Sequence, residues 1–340
     1  MIQLLKTLCS ANTVSGNEKN LFPFLCEQLE KYGCETMTGQ NVYGIRTGKN
    51  GLKIMLDAHI DKIGFMVTGF ETGGFLRFAS IGGVDTRTLL SNEMIIHGKQ
   101  EVYGVVATMA PHLLKAEDRE KSPKIEDLYL DTGYEDEALR QIVSVGDTIS
   151  YKSEFTELAN GYVCSNGLDN SAGACVILDV MKKLSGKKLN NSLYPVLSAH
   201  EEVDLSGAAI AAEKLQPDIA VVVDVTHGTT PDSKGHVTFQ LGSGAAIGVG
   251  PNMDRKLTQR LIRLAKEKNI PYDIEALGGS SGTNAICVQV AGRGILTVLV
   301  SIPLRYMHTM SEVVCLSDME KVSELITAFI EELEGGLPKC

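Results

Sequence analysis

Apolar and polar residues follow two textures along this 340-residue chain. In "NEKNLFPFLCEQLEKYG" apolar residues recur at helical spacing and a glycine ends the run, which predicts a helix. "YGIRTGKNG" and "LKIMLDAHIDKIGFMV" predict strands on either side of a turn at Lys49–Gly51, the second strongly apolar. From about Val67 to Val163 the texture changes to short alternating strands punctuated by Gly, Asn and Asp, as in "GFETGGFLRFASIGG", "NEMIIHGKQEVYGVVATM" and "VSVGDTISYKSEFTELANGYV". With one helical stretch among them, "YEDEALRQIV", they predict a small β-barrel or sandwich. After Gly167 helices and wholly apolar strands alternate. The helices are "NSAGACVILDVMKKL", "SGAAIAAEKL", "DRKLTQRLIRLAKEKN" and "SDMEKVSELITAFIEELEGG"; the strands are "SLYPVLSAH", "DIAVVVDV" and "GILTVLVSIP". Strands apolar throughout predict a sheet covered on both faces.

The fold class that follows is α/β: a mixed, largely parallel sheet flanked by helices, interrupted by a β-rich insertion and then completed. Residues 1–66 and 164–340 form the α/β domain and 67–163 the insertion, and the length suits two domains. A net charge of −10 argues against a nucleic-acid-binding surface. No run approaches the roughly eighteen apolar residues of a membrane span, and the start lacks a signal-peptide core. The expectation is a cytoplasmic protein with no membrane partner. Its eight cysteines (Cys9, Cys26, Cys34, Cys164, Cys175, Cys287, Cys315, Cys340) are scattered and read as reduced, mostly buried thiols.

Ligands of open α/β sheets bind beyond the carboxyl ends of the strands. Charged and histidine residues that directly follow apolar strands are therefore the candidates. "KIMLDAHID" supplies His59 and Asp61, and "GYVCSNGLDN" supplies Asp169 ahead of a helix. "YPVLSAHEE" supplies Glu201 and Glu202, "IAVVVDVTH" Asp224, and "TVLVSIPLRYMH" His308. Singly, each has an ordinary explanation as a helix cap, a hydrogen-bonded structural histidine or a solvated acid. Together, in the types a metal pair takes, they point to a binuclear site for zinc or a similar ion. Asp61 is spaced to orient the His59 ring, and one of the adjacent glutamates can bind metal while the other moves a proton. His97, His112 and His236 read as surface or structural; His200 and His227 lie near the rim without a role.

The ordered series "AHIDKIGFMV", "GLDNSAGA", "AHEEVDLSGA", "VVDVTHGTTPD", "GGSSGTNA" and "PLRYMHTMSE" resembles the M42 family of metallo-aminopeptidases. That family includes tetrahedral and glutamyl aminopeptidases and proteins once labelled endoglucanases. The related M20 family has a similar series but carries its extra domain after the fourth ligand, whereas here the insertion lies between Asp61 and Asp169. The resemblance implies a zinc-peptidase fold whose inserted, PDZ-like barrel serves oligomerisation, giving homo-oligomers from dimers to dodecamers. It implies an aminopeptidase acting on peptides, with two divalent metal ions per subunit: zinc, or cobalt or manganese in its place. His59, Asp169 and Asp224 would bind one ion, and Asp169, Glu202 and His308 the other. Glu201 would be the general base, Asp61 the partner of His59, and the peptide after Asp169 cis.

Several positions depart from the family pattern: Lys62 for an acid, Ser171 for a basic residue, Asp204 and Ser206 for Gly and Arg, and Asn284 for Asp. Lys62 is expected either to favour an acidic substrate residue or to face solvent. A deacylase or carboxypeptidase, and a catalytically silent metal-binding assembly protein, remain as alternative readings.

Overall fold

A computed structural model describes residues 1–118 and 120–336. Cys340 lies outside the described residues; the other seven cysteines are unpaired thiols, three buried and four partly so.

Four parallel strands form the centre of the main sheet, in the spatial order Ser192–Ser198, Lys53–His59, Ile219–His227 and Leu296–Arg305. Antiparallel neighbours extend it on both sides: Val42–Ile45 beside the first, Ala245–Val249 and Glu312–Cys315 beside the last. The sheet is therefore mixed. Helices Ile2–Ser10, Phe22–Lys31, Leu168–Leu184, Arg255–Glu267 and Leu316–Leu333 cover one face, and Ser206–Leu215 and Ala285–Val288 cover the other. Arg255–Glu267 shows why such segments become helices. The Asp254 carboxylate caps it by accepting from the Leu257 amide, and Leu257, Leu261, Leu264 and Ala265 recur on the buried face. Full burial of each such leucine contributes about 2 kcal/mol.

The inserted strands close into a six-stranded antiparallel barrel. Around it run Gly64–Glu71, Phe75–Ile81, Tyr129–Asp131, Glu101–Ala107, Glu93–His97 and Thr148–Tyr151. In Glu101–Ala107 the period of two is plain: Val102, Gly104 and Val106 face inward, Tyr103 and Val105 outward. Phe65 fills the interior, edge-on to Phe78 and Tyr151.

The apolar run "LKIMLDAHIDKIGFMV", read above as one strand, is two. The first ends at His59 in the main sheet and the second begins at Gly64 in the barrel. Every residue from Ile54 to Phe65 is buried, so the run passes from one core directly into another. Burial sets the apolar pattern, and it does not record which core does the burying.

Candidate metal centre

The carboxyl ends of the four parallel strands deliver most of the candidate side chains to one rim. His59 is the last residue of its strand, and Asp61 lies two beyond it. Glu201 and Glu202 open a short helix after Ser192–Ser198, Asp224 lies on Ile219–His227, and His308 follows Leu296–Arg305. Asp169 stands in the first turn of Leu168–Leu184, and the Asp169–Asn170 peptide is cis. Asn170 anchors this turn by donating to the Val223 carbonyl and accepting from the Gly173 amide, both at 2.9 Å.

The adjacent glutamates reach the same space because they are not on a strand. His200 adopts a left-handed conformation (φ 61°), which turns the chain into the helix Glu201–Asp204. Neighbours on a helix diverge by about 100° rather than pointing to opposite faces. Asp61 holds this turn from the next strand: its two carboxylate oxygens accept the amides of Glu201 (3.0 Å) and Glu202 (3.2 Å), and one also accepts the Ser15 hydroxyl at 2.7 Å. His200 braces it from outside, with Gln40 donating to its Nδ1 at 2.9 Å and Glu18 lying 3.5 Å from its Nε2.

His59 Nδ1 lies 3.1 Å from the Asp61 carbonyl oxygen, which can only accept, so this nitrogen carries the proton. The Asp61 carboxylate is farther, at 3.5 Å. Nε2 then faces Asp169 Oδ1 at 3.2 Å and Asp224 Oδ1 at 3.7 Å, with Glu201 Oε2 at 3.9 Å. On the other side His308 Nε2 lies 3.3 Å from Asp169 Oδ2 and 3.3 Å from Glu202 Oε2. Asp169 thus turns one oxygen to each histidine.

Five carboxylates packed this closely call for positive charge. Burial lowers the His59 pKa, but the charges of Glu201, Asp169, Asp224 and Asp61 overcome it and hold it well above the ordinary value. His308 is likewise raised to about 9 against its burial, by Asp169 and Glu202. Burial and neighbouring carboxylates raise Glu201 to about 8 and push Glu202 well above the usual range. Glu202 Oε1 is buried and accepts no hydrogen bond. His59, Asp169 and Glu202 offer ligand atoms all within 4.8 Å of one another. A divalent cation, taking the place of the His59 Nε2 proton, answers the excess negative charge and the orphaned oxygen together, and imidazole with carboxylate is a donor set that transition metals take. The residues fit a metal.

Two features of the site were not legible in the sequence. Glu312, buried, accepts the amides of both Asp169 and His308. Gly83, just past the barrel strand Phe75–Ile81, passes so close to His308 that a Cβ there would stand 3.2 Å from its Nδ1. At the ends of the strands Ile219–His227 and Leu296–Arg305 a cavity of about 520 Å³ is lined by His227, Asp232, His236, Tyr306 and Met307, among others. This gives His227 and His236 a setting that sequence reading did not find for them.

The departures from the family pattern now have surroundings. Lys62 neither faces solvent nor meets the rim. It is buried, and its Nζ donates to the carbonyls of Leu8, Cys9 and Ala11 at 2.8–3.0 Å, capping the helix Ile2–Ser10. That corrects both expectations for it. Lys62→Met removes the donor that these three carbonyls share and is expected to lower unfolding free energy by about 3 kcal/mol while leaving substrate preference unchanged. Denaturant titration with a substrate panel checks this; altered preference at unchanged stability would return Lys62 to the substrate. Asn284 is buried and donates to Asp57 at 2.9 Å and Ser198 at 3.1 Å. Asp204 is exposed and accepts the Ser206 amide, while Ser171 is buried in its helix.

Comparison with known proteins agrees in order and extent. The sequence model of the M42 glutamyl aminopeptidase family matches residues 40–325. The lysyl aminopeptidase of Pyrococcus furiosus is 32% identical over 287 residues, covering 83% of this chain and 82% of that protein. Among solved structures, a TET aminopeptidase from a marine sediment Thaumarchaeota archaeon superposes with a TM-score of 0.92 at 28% identity, covering 98% of this chain and 97% of the other. The TET1 peptidase of Pyrococcus horikoshii, which can assemble into a tetrahedron or a large octahedral shell, superposes at 0.85 with 28% identity, covering 97% and 98%. No described helix is long and apolar enough to cross a membrane.

Proposed function

The chain belongs to the M42 glutamyl aminopeptidase family and is a hydrolase acting on peptide bonds, and from that premise we propose that it removes N-terminal residues from peptides with the help of two divalent ions. The observation that carries the two-ion reading is Asp169, whose carboxylate oxygens face the Nε2 atoms of two different histidines at 3.2 and 3.3 Å. His59, Asp169 and Asp224 would hold one ion, and Asp169, Glu202 and His308 the other. Zinc suits these donors best, with cobalt or manganese as alternatives. When bound, the ions supply Lewis acidity toward the scissile carbonyl and acidify the attacking water.

The remaining steps belong to the chain's own residues. Glu201 takes the proton of the water and returns it to the leaving amine. Its carboxyl is raised to about 8 by burial and by the acids around it, and added positive charge favours the ionised form that a base needs. Asp61 fixes the turn that aims Glu201 and, through its carbonyl, the tautomer of His59. The cavity lined by Met307, the residue before His308, is proposed to take the side chain of the residue being removed.

Assembly into a homo-oligomer belongs to the same proposal. The shells formed by the Pyrococcus horikoshii TET1 peptidase support it, as do the outward-facing Tyr103 and Val105 of the barrel.

One experiment covers these points. Protein sized by light scattering is stripped with a chelator, reloaded with single divalent ions, and assayed on aminoacyl-anilides with free and with acetylated amines. Activity is expected only after reloading, only on free amines, and in a particle larger than one chain. Turnover of acetylated substrates alone would move the protein to the deacylases, and a monomer removes the assembly part.

A further inference from the structure

Glu312 opens the strand Glu312–Cys315 and is 1% exposed. One of its carboxylate oxygens accepts the His308 amide at 2.8 Å; the other accepts the Asp169 amide at 3.2 Å. These amides belong to segments far apart in sequence, one opening the helix Leu168–Leu184 and one following the strand Leu296–Arg305. Neither is held by regular structure at that point. Asp169 departs from helical geometry (φ −78°, ψ 106°), and His308 is left-handed at φ 64°. A left-handed conformation in a residue with a Cβ persists only where its surroundings enforce it. A carboxyl group is suited to this work because each of its two oxygens can accept an amide N–H. A carboxamide at the same place turns an NH₂ toward one of the two amides, and donor then meets donor.

We propose that Glu312 is a positioning residue of the metal centre, a single buried clamp that sets Asp169 and His308 in register with each other. The proposal rests on the two-ion reading above. Its effect is unequal by construction. His308 serves only the ion it shares with Asp169 and Glu202, whereas the other ion has Asp169 in common but keeps His59 and Asp224, which come from strands that Glu312 does not touch. Loss of the clamp therefore disturbs two ligands of one ion and only the shared Asp169 of the other, so the two sites weaken unequally.

The test is metal binding by the full-length protein carrying Glu312→Gln, by zinc titration against a chromophoric chelator, with circular dichroism to verify folding. Wild-type protein is expected to take up two ions. In Glu312→Gln both are expected to weaken, the ion assigned to His308 about 10–100-fold, the usual range for loss of an outer partner of a ligand, and its neighbour at least about threefold less. Turnover should fall at limiting zinc and recover in part at high zinc, which damage to the fold would not reproduce. Should Glu312→Gln unfold at the assay temperature, Glu312→Asp carries the test, because it keeps the carboxyl group but cannot reach both amides; the same unequal loss is expected. Two unchanged affinities, or equal weakening of both, overturn the proposal. Uptake of fewer than two ions by wild-type protein overturns the two-ion reading and the clamp with it.

Discussion

Replacing Glu201 by glutamine is expected to lower kcat on aminoacyl-anilides by about a thousand-fold, within the range a general base contributes, while leaving metal content at the wild-type level. Glutamine keeps the shape of the side chain and cannot take a proton. The turn that presents it should survive, because Asp61 holds the main-chain amide of residue 201 and not its side chain. The nearest cationic group to its carboxylate is His59, and at 3.9 Å that contact is loose. Steady-state kinetics with elemental analysis reads both quantities on one sample. A near-normal rate would remove Glu201 from the base role. Loss of an ion would place it among the ligands instead.

The second large effect is expected at Asp169. Asp169→Ala should reduce bound metal from two ions to fewer than one per chain and drop activity to background, a loss of at least about 10⁴-fold. Asp224→Ala should remove only one ion. The contrast follows from geometry: each Asp169 oxygen faces its own histidine, whereas the contact of Asp224 with the histidines is to His59. Elemental analysis of the two variants side by side decides the matter. Equal metal loss from both would mean that Asp169 is not the bridge.

What could be read in the sequence was the rim. Strand ends in an α/β sheet are marked locally, by an apolar run that stops at a polar residue, and His59, Glu201, Glu202, Asp224 and His308 all carry that mark. The supports were silent because each acts on a partner remote in sequence. Asp61 was visible as a companion two residues beyond His59. Its grip on the Glu201 and Glu202 amides depends on two strands being neighbours, which no local pattern records. Glu312 was hidden for a further reason: the strand it opens is only four residues long and was not picked out. The strands Ala245–Val249 and Tyr272–Ala276 escaped as well. The first is rich in Ala and Gly and the second half polar, so neither has the composition of a strand, and pairing alone makes them so. Lys62 misled because it stands where the family pattern has an acid, next to Asp61, while the carbonyls that hold it lie at the end of the first helix, remote in sequence.

The position of Asp169 between two histidines has a consequence for the chain as a polymer. An ion joining His59 to Asp169 would close a loop containing the whole barrel, and one joining Asp169 to His308 would close a second loop holding most of the remaining sheet. Closing loops of roughly a hundred residues removes conformational freedom from the unfolded chain, much as a long-range disulfide does. With seven described cysteines all unpaired, ions held at Asp169 would act as two cross-links meeting at one residue, tying barrel and sheet together in a protein that makes no covalent tie among those thiols.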